Sequence, residues 1–91
     1  MTITPKTRQA LKARAHKIKP IVLIGNNGFT DAVKLEIDRA LHDHELIKIR
    51  ISIQDRELKK ELFTKICEST FAEPVQLIGN IGVIYRKNKD K

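Results

Sequence analysis

The clearest strand runs from Leu46 to Gln54, where Ile47, Ile49, Ile51 and Ile53 alternate with Lys48, Arg50, Ser52 and Gln54. A period of two sends successive side chains to opposite faces of a strand. One face is therefore expected in the core and the other, with Lys48 and Arg50, in water. Thr4-Pro5 reads as a helix start, a cap residue followed by proline at the first helical position. Thr7, Ala10, Leu11, Ala15 and Ile18 give that helix a thin apolar stripe, and Pro20 is expected to stop it. Ile21 to Ile24 is a short strand apolar on both faces, as parallel pairing favours. A second helix spans about Thr30 to His42, with Val33, Ile37, Ala40, Leu41 and His44 along one face. Asp55 can cap a third, with Leu58, Leu62, Phe63, Ile66 and Cys67 inward and Lys59, Lys60, Lys65 and Glu68 outward. Val75 to Ile78, the turn Gly79-Asn80 and Ile81 to Arg86 form a hairpin.

The order α-β-α-β-α-β-β, with right-handed crossovers, makes the first three strands parallel and the last antiparallel to the third. The expected fold is α/β: two layers, a mixed four-stranded sheet with its helices on one face. Ninety-one residues suffice for one core. Residues 1–86 are assigned to that domain and 87–91 to a short basic tail. No run approaches the ~20 apolar residues of a membrane span. The first residues lack the apolar core of a signal peptide, and Cys67 is the only cysteine. A cytoplasmic protein without disulfides is expected.

The formal net charge of +7 changes the picture through its placement. Residues 1–19 hold six basic residues and no acid, residues 20–85 sum to −2, and residues 86–91 to +3. A balanced globule thus carries cations at its two ends, an arrangement suited to a polyanion. Between the first strand and second helix lies Gly25-Asn26-Asn27-Gly28, closed by Phe29 and the cap residue Thr30. Glycine permits positive φ and close backbone approach, and a helix start presents unpaired N–H groups, so phosphate could settle there. Asp31 at the same helix start would repel a phosphate placed directly on it. Either a nucleic-acid backbone passes over Asn26 and Asn27, or Asp31 acts only on the helix dipole. The candidate contacts are Gly25, Asn26, Asn27 and Gly28, the first-helix cations Lys6, Arg8, Lys12, Arg14, Lys17 and Lys19, and Lys48, Arg50 and Arg86.

Other constellations carry less. Gly79-Asn80-Ile81-Gly82 precedes a strand, which makes it a hairpin turn rather than an anion site. In His42-Asp43-His44-Glu45, residues two apart on a helix point to different faces, and no second ligand pair accompanies them. Cys67 falls on an inward stripe as a small core residue. Phe29 is placed to staple toward Val33. No Walker or dinucleotide loop and no acid–base pair stands out, so neither catalysis nor cofactor nor small-molecule substrate is expected. Aromatics that could stack bases on a sheet are absent apart from Tyr85.

Leu11-Lys12, the run Lys19 to Thr30, His44 to Arg50 and Val75 to Gly79 together resemble the CRM domain (chloroplast RNA splicing and ribosome maturation) in its stand-alone bacterial, YhbY-type form. The resemblance spans nearly the whole chain; Phe29 stands where a leucine is expected. It implies a fold comparable to the C-terminal domain of translation initiation factor three. It further implies a non-catalytic RNA-binding protein associated with precursors of the large ribosomal subunit. The family's GxxG loop would be Gly25 to Gly28, and its basic surface the first helix. A monomer with RNA as partner is the reading that follows; the rivals are a basic module for an acidic protein partner and a small hydrolase with a hidden site.

Overall fold

In a computed structural model, which describes residues 3–88, the isoleucine ladder runs through the middle of the sheet. Seven elements follow one another: α1 (Pro5–Ala15), β1 (Pro20–Ile24), α2 (Asp31–His44), β2 (Leu46–Ile51), α3 (Arg56–Thr70), β3 (Glu73–Ile78) and β4 (Ile81–Tyr85). The strand order is β1-β2-β4-β3, with β1 and β2 parallel and β4 antiparallel to both β2 and β3. The first three strands therefore share a direction, as expected. What separates β2 from β3 is β4, which returns from the hairpin and inserts between them.

Ile47, Ile49 and Ile51 are buried against α2 and α3, where they meet Ile37, Leu41, Phe63 and Ile66. Each fully buried side chain of this size contributes about 1.5–3 kcal/mol relative to exposure. Local signals hold the helix starts. Thr4 Oγ1 accepts from Thr7 N at 3.1 Å, Thr30 Oγ1 from Val33 N at 3.2 Å, and Asp55 Oδ1 from Glu57 N and Leu58 N at 3.0 and 3.1 Å. Phe29 and Val33 both pack on the same core, consistent with the staple.

The main departure is the position of α1. It lies against the opposite face of the sheet, with Leu11 and Ala15 buried on Leu46, Val75 and Val83, and Ile3, Ile18 and Tyr85 around them. The helices are thus not confined to one face. Leu46 and the bulge in β3 make this possible: the register shifts between Pro74 and Gln76, which turns Val75 toward α1 while Leu77 faces the larger core. Thr7 and Ala10, assigned to the stripe, are exposed. So is Leu58, whereas Leu62, Phe63, Ile66 and Cys67 of α3 pack on the core as expected.

Smaller differences have local causes. Helix α1 ends at Ala15, with Lys17 N and Ile18 N donating back to Arg14 O and Ala15 O, so Pro20 opens β1 instead of stopping the helix. Strand β2 ends at Ile51, where its N–H reaches Asn80 O and the next N–H, of Ser52, reaches Ile24 O. Pro74 sits inside β3, which is tolerated because β3 is an edge strand. The domain also extends past residue 86. Asn88 is buried, its amide donating to Leu41 O at 3.4 Å and to His42 O, and its N–H to Glu45 Oε2 at 2.8 Å. It thereby ties down the end of α2, where Glu45 adopts a positive φ of 65°. The expected tail residues 89–91 lie outside the described residues.

Candidate nucleic-acid interface

The GNNG loop leaves β1 at the end of the sheet where β2 also finishes and β4 begins, so the Gly79-Asn80 turn lies at that same end. Gly28 N donates to Gly25 O at 3.0 Å, closing a turn with Asn26 and Asn27 exposed at its tip. Gly28 needs its lack of a side chain, having φ +73°. Gly25 does not: its φ is ordinary and a Cβ there would meet nothing within 4 Å. Neither asparagine uses positive φ. Among the described residues, the backbone N–H groups of Asn26 and Asn27 have no acceptor, and both residues are exposed just before the positive end of α2. Asp31 is exposed in the first turn of α2, next to these groups.

Because α1 crosses only part of the second sheet face, a strip of that face stays open. Register pairing places Leu23, Arg50, Ile81 and Ile78 in one row across all four strands. Beside it, Lys12 and His16 of α1 join Lys48, Gln76, Ile78 and Ile81 around a shallow cavity of about 210 Å³. Lys12, Lys48 and Arg50 are thus brought onto one side of the molecule from distant parts of the chain. Arg14 borders a neighbouring depression with Ile18, Ile21 and His44, while Lys6, Lys17 and Lys19 are exposed around α1.

Two expected contacts are used otherwise. Arg8 donates to Pro74 O at 2.6 Å, pinning α1 to β3. Arg86 lies at the opposite end of the sheet from the loop, in an ion pair with Asp38 at 2.5 Å. Its guanidinium also donates to Thr70 O at 2.9 Å and Asp38 O at 3.0 Å, which ties the end of α3 to the middle of α2. Three of its five N–H donors are so engaged, which gives the side chain a structural role between the two helices. Lys59, assigned outward, donates instead to Gly79 O at 3.1 Å and Asn80 Oδ1 at 2.8 Å, holding the hairpin turn.

Sequence reasoning missed His16, Gln76 and the apolar members of the open row. Nothing in the periodicity marks them, since the row exists only through the pairing of four strands. Among the described residues, no group of three or more His, Cys, Asp or Glu is placed to hold a metal, and no helix is long and apolar enough to cross a membrane. Burial, with Glu73 and Glu68 nearby, pushes the Cys67 thiol up to about 12, away from nucleophile chemistry.

Comparison with known proteins bears on the whole domain. A family model described as the CRS1 / YhbY (CRM) domain matches residues 3–86. A Haemophilus influenzae protein named "RNA-binding protein" is 43% identical over 98% of this chain and 90% of its own length. A Pseudomonas aeruginosa protein named "Probable RNA-binding protein" is 35% identical over 97% of the chain and 85% of its own. The solution structure of a hypothetical Staphylococcus aureus protein, whose title proposes RNA binding, superposes with a TM-score of 0.86. It is 39% identical and covers 98% of this chain and 92% of its own.

Proposed function

This chain belongs to the CRS1 / YhbY (CRM) domain family, and we propose that it is a non-catalytic RNA-binding protein. The observation that carries the reading is one of placement. Loop N–H groups without an acceptor leave β1 at the end of the sheet where Arg50 lies, and Lys12, Lys48 and Arg50 share the face that α1 leaves partly open. Phosphates would seat against Asn26 and Asn27, where glycine keeps the backbone accessible. The cations would position the strand without specifying its sequence. In this reading Arg8 and Arg86 are structural, and the contacts reduce to the loop, Lys6, Lys12, Arg14, Lys17, Lys19, Lys48 and Arg50. Family resemblance extends the proposal to ribosomal RNA of large-subunit precursors, bound in the cytoplasm by a monomer without cofactor.

The test is RNA affinity as a function of salt, for the wild type and for Asn26→Asp/Asn27→Asp, with circular dichroism to check folding. A loss of about tenfold or more at constant fold supports backbone contact at the loop. Unchanged affinity removes the loop from the interface. A salt slope near zero would favour the rival reading, a module for an acidic protein partner.

A further inference from the structure

We propose that the ligand of this face is single-stranded RNA, and that its unpaired bases lie on the row Leu23–Arg50–Ile81–Ile78. This rests on the RNA-binding reading above. It adds the class of RNA and a second subsite, distinct from the phosphate contacts of the loop.

The row is unusual for a small domain's surface. Leu23 is 62% exposed and Ile78 64% exposed, although each belongs to a regular strand. Ile21, one row away on the same side, is 51% exposed. On most sheets such positions are polar or covered, and here α1 stops short of them. The charged and titratable groups around the row are Arg50 within it and Lys12, His16 and Lys48 beside it. The acid of this sheet face, Glu73, pairs with Tyr85 at the far end of β3. Apolar area framed by cations without carboxylates suits a polyanion that also has apolar faces to bury.

A duplex does not fit that description, because its bases are stacked inside and it presents phosphates and sugars. An unpaired strand does. Its bases can rest flat on Leu23, Ile81 and Ile78 and on the guanidinium plane of Arg50, while its phosphates reach Lys12 and Lys48. With neighbouring strands about 4.8 Å apart, the four-stranded row is roughly 14 Å long. A four-stranded sheet of this width holds two or three bases in proteins that use aromatics for the purpose. The GNNG loop begins two residues beyond Leu23, so one strand can continue from the row to the loop without turning back.

The experiment is fluorescence anisotropy with a single-stranded oligoribonucleotide and with its blunt duplex, at equal salt. The wild type is compared with Leu23→Ala/Ile78→Ala, with Arg50→Lys, and with Lys12→Gln/Lys17→Gln. The wild type is expected to prefer the single strand by about tenfold, and the double alanine variant to lose most of that preference with an unchanged salt slope. Arg50→Lys keeps the charge and loses the plane, so it should lower single-strand affinity alone; it serves as well if the alanine variant fails to fold. The lysine variant should weaken both ligands and flatten the slope. Equal wild-type affinity for strand and duplex overturns the proposal. So does a folded alanine variant that binds the single strand like wild type, which would leave the row to a protein partner. If neither RNA binds, the RNA-binding reading falls, and this inference with it.

Discussion

Arg50 lies at one end of the sheet and Arg86 directly follows β4 at the other, and sequence alone gives them the same standing. At the Arg86 end polar groups are tied to the protein: the guanidinium to the Asp38 carboxylate and to the carbonyls of Asp38 and Thr70, the Asn88 amide to the end of α2, the Glu45 carboxylate to a backbone N–H. At the Arg50 end the guanidinium is exposed, leucine and isoleucine face water, and two loop N–H groups have no acceptor within the described residues. The first end closes the domain where its chain finishes. The second keeps polar and apolar groups in the state a ligand requires. Basic residues become candidates for binding only where the fold has not already satisfied them.

The contrast can be broken at either end. Arg86→Ala should have the largest effect on stability, about 2–3 kcal/mol, because charge-assisted bonds to Asp38 and Thr70 O vanish together. Thermal denaturation should show a fall of roughly 10 °C or more, with RNA affinity unchanged at temperatures where the variant is folded. A large affinity loss at full stability would return Arg86 to the interface.

The glycines divide in the same way. Gly82→Ala would bring a Cβ to 2.7 and 2.9 Å from Phe63 ring carbons and should cost about 2 kcal/mol. Gly25→Ala meets nothing and should leave the unfolding free energy within about 0.5 kcal/mol of wild type, while weakening RNA binding if the backbone comes close there. Equal melting points for the two variants would contradict this packing. Gly28→Ala, forced to φ +73°, should cost about 1 kcal/mol, measured by denaturant titration.

The smallest effect concerns Cys67, whose thiol is held near 12 against an ordinary value of 9.0. A raised folded-state value means that its contribution to stability is complete below pH 9 and is lost as pH climbs from there toward 12. At pH 8 a thiol reagent should therefore label the folded protein only at the rate of its unfolding. Rapid labelling of folded protein would show an accessible, ionised sulfur.

Caps and the central ladder are properties of neighbouring residues and read correctly from sequence, although Thr7, Ala10 and Leu58 are exposed against their periodicity and β2 stops at Ile51. The isoleucine ladder, the caps Thr4, Thr30 and Asp55, the Gly79-Asn80 turn and the GNNG loop all stand where their residues indicate. The family, too, was legible, because its blocks occur in order along the whole chain. The choice of face for α1 was not legible. Its stripe of Leu11 and Ala15 is too thin to reveal a partner, and the partner patch of Leu46, Val75 and Val83 is assembled from three strands and a bulge. The same holds for the open row and for the fates of Arg8, Lys59 and Arg86, which depend on carbonyls and carboxylates far away in sequence. Local sequence determined which elements form and where they start. Only the pairing of strands, which brings distant residues within bonding distance, decided which charges and apolar side chains remain exposed.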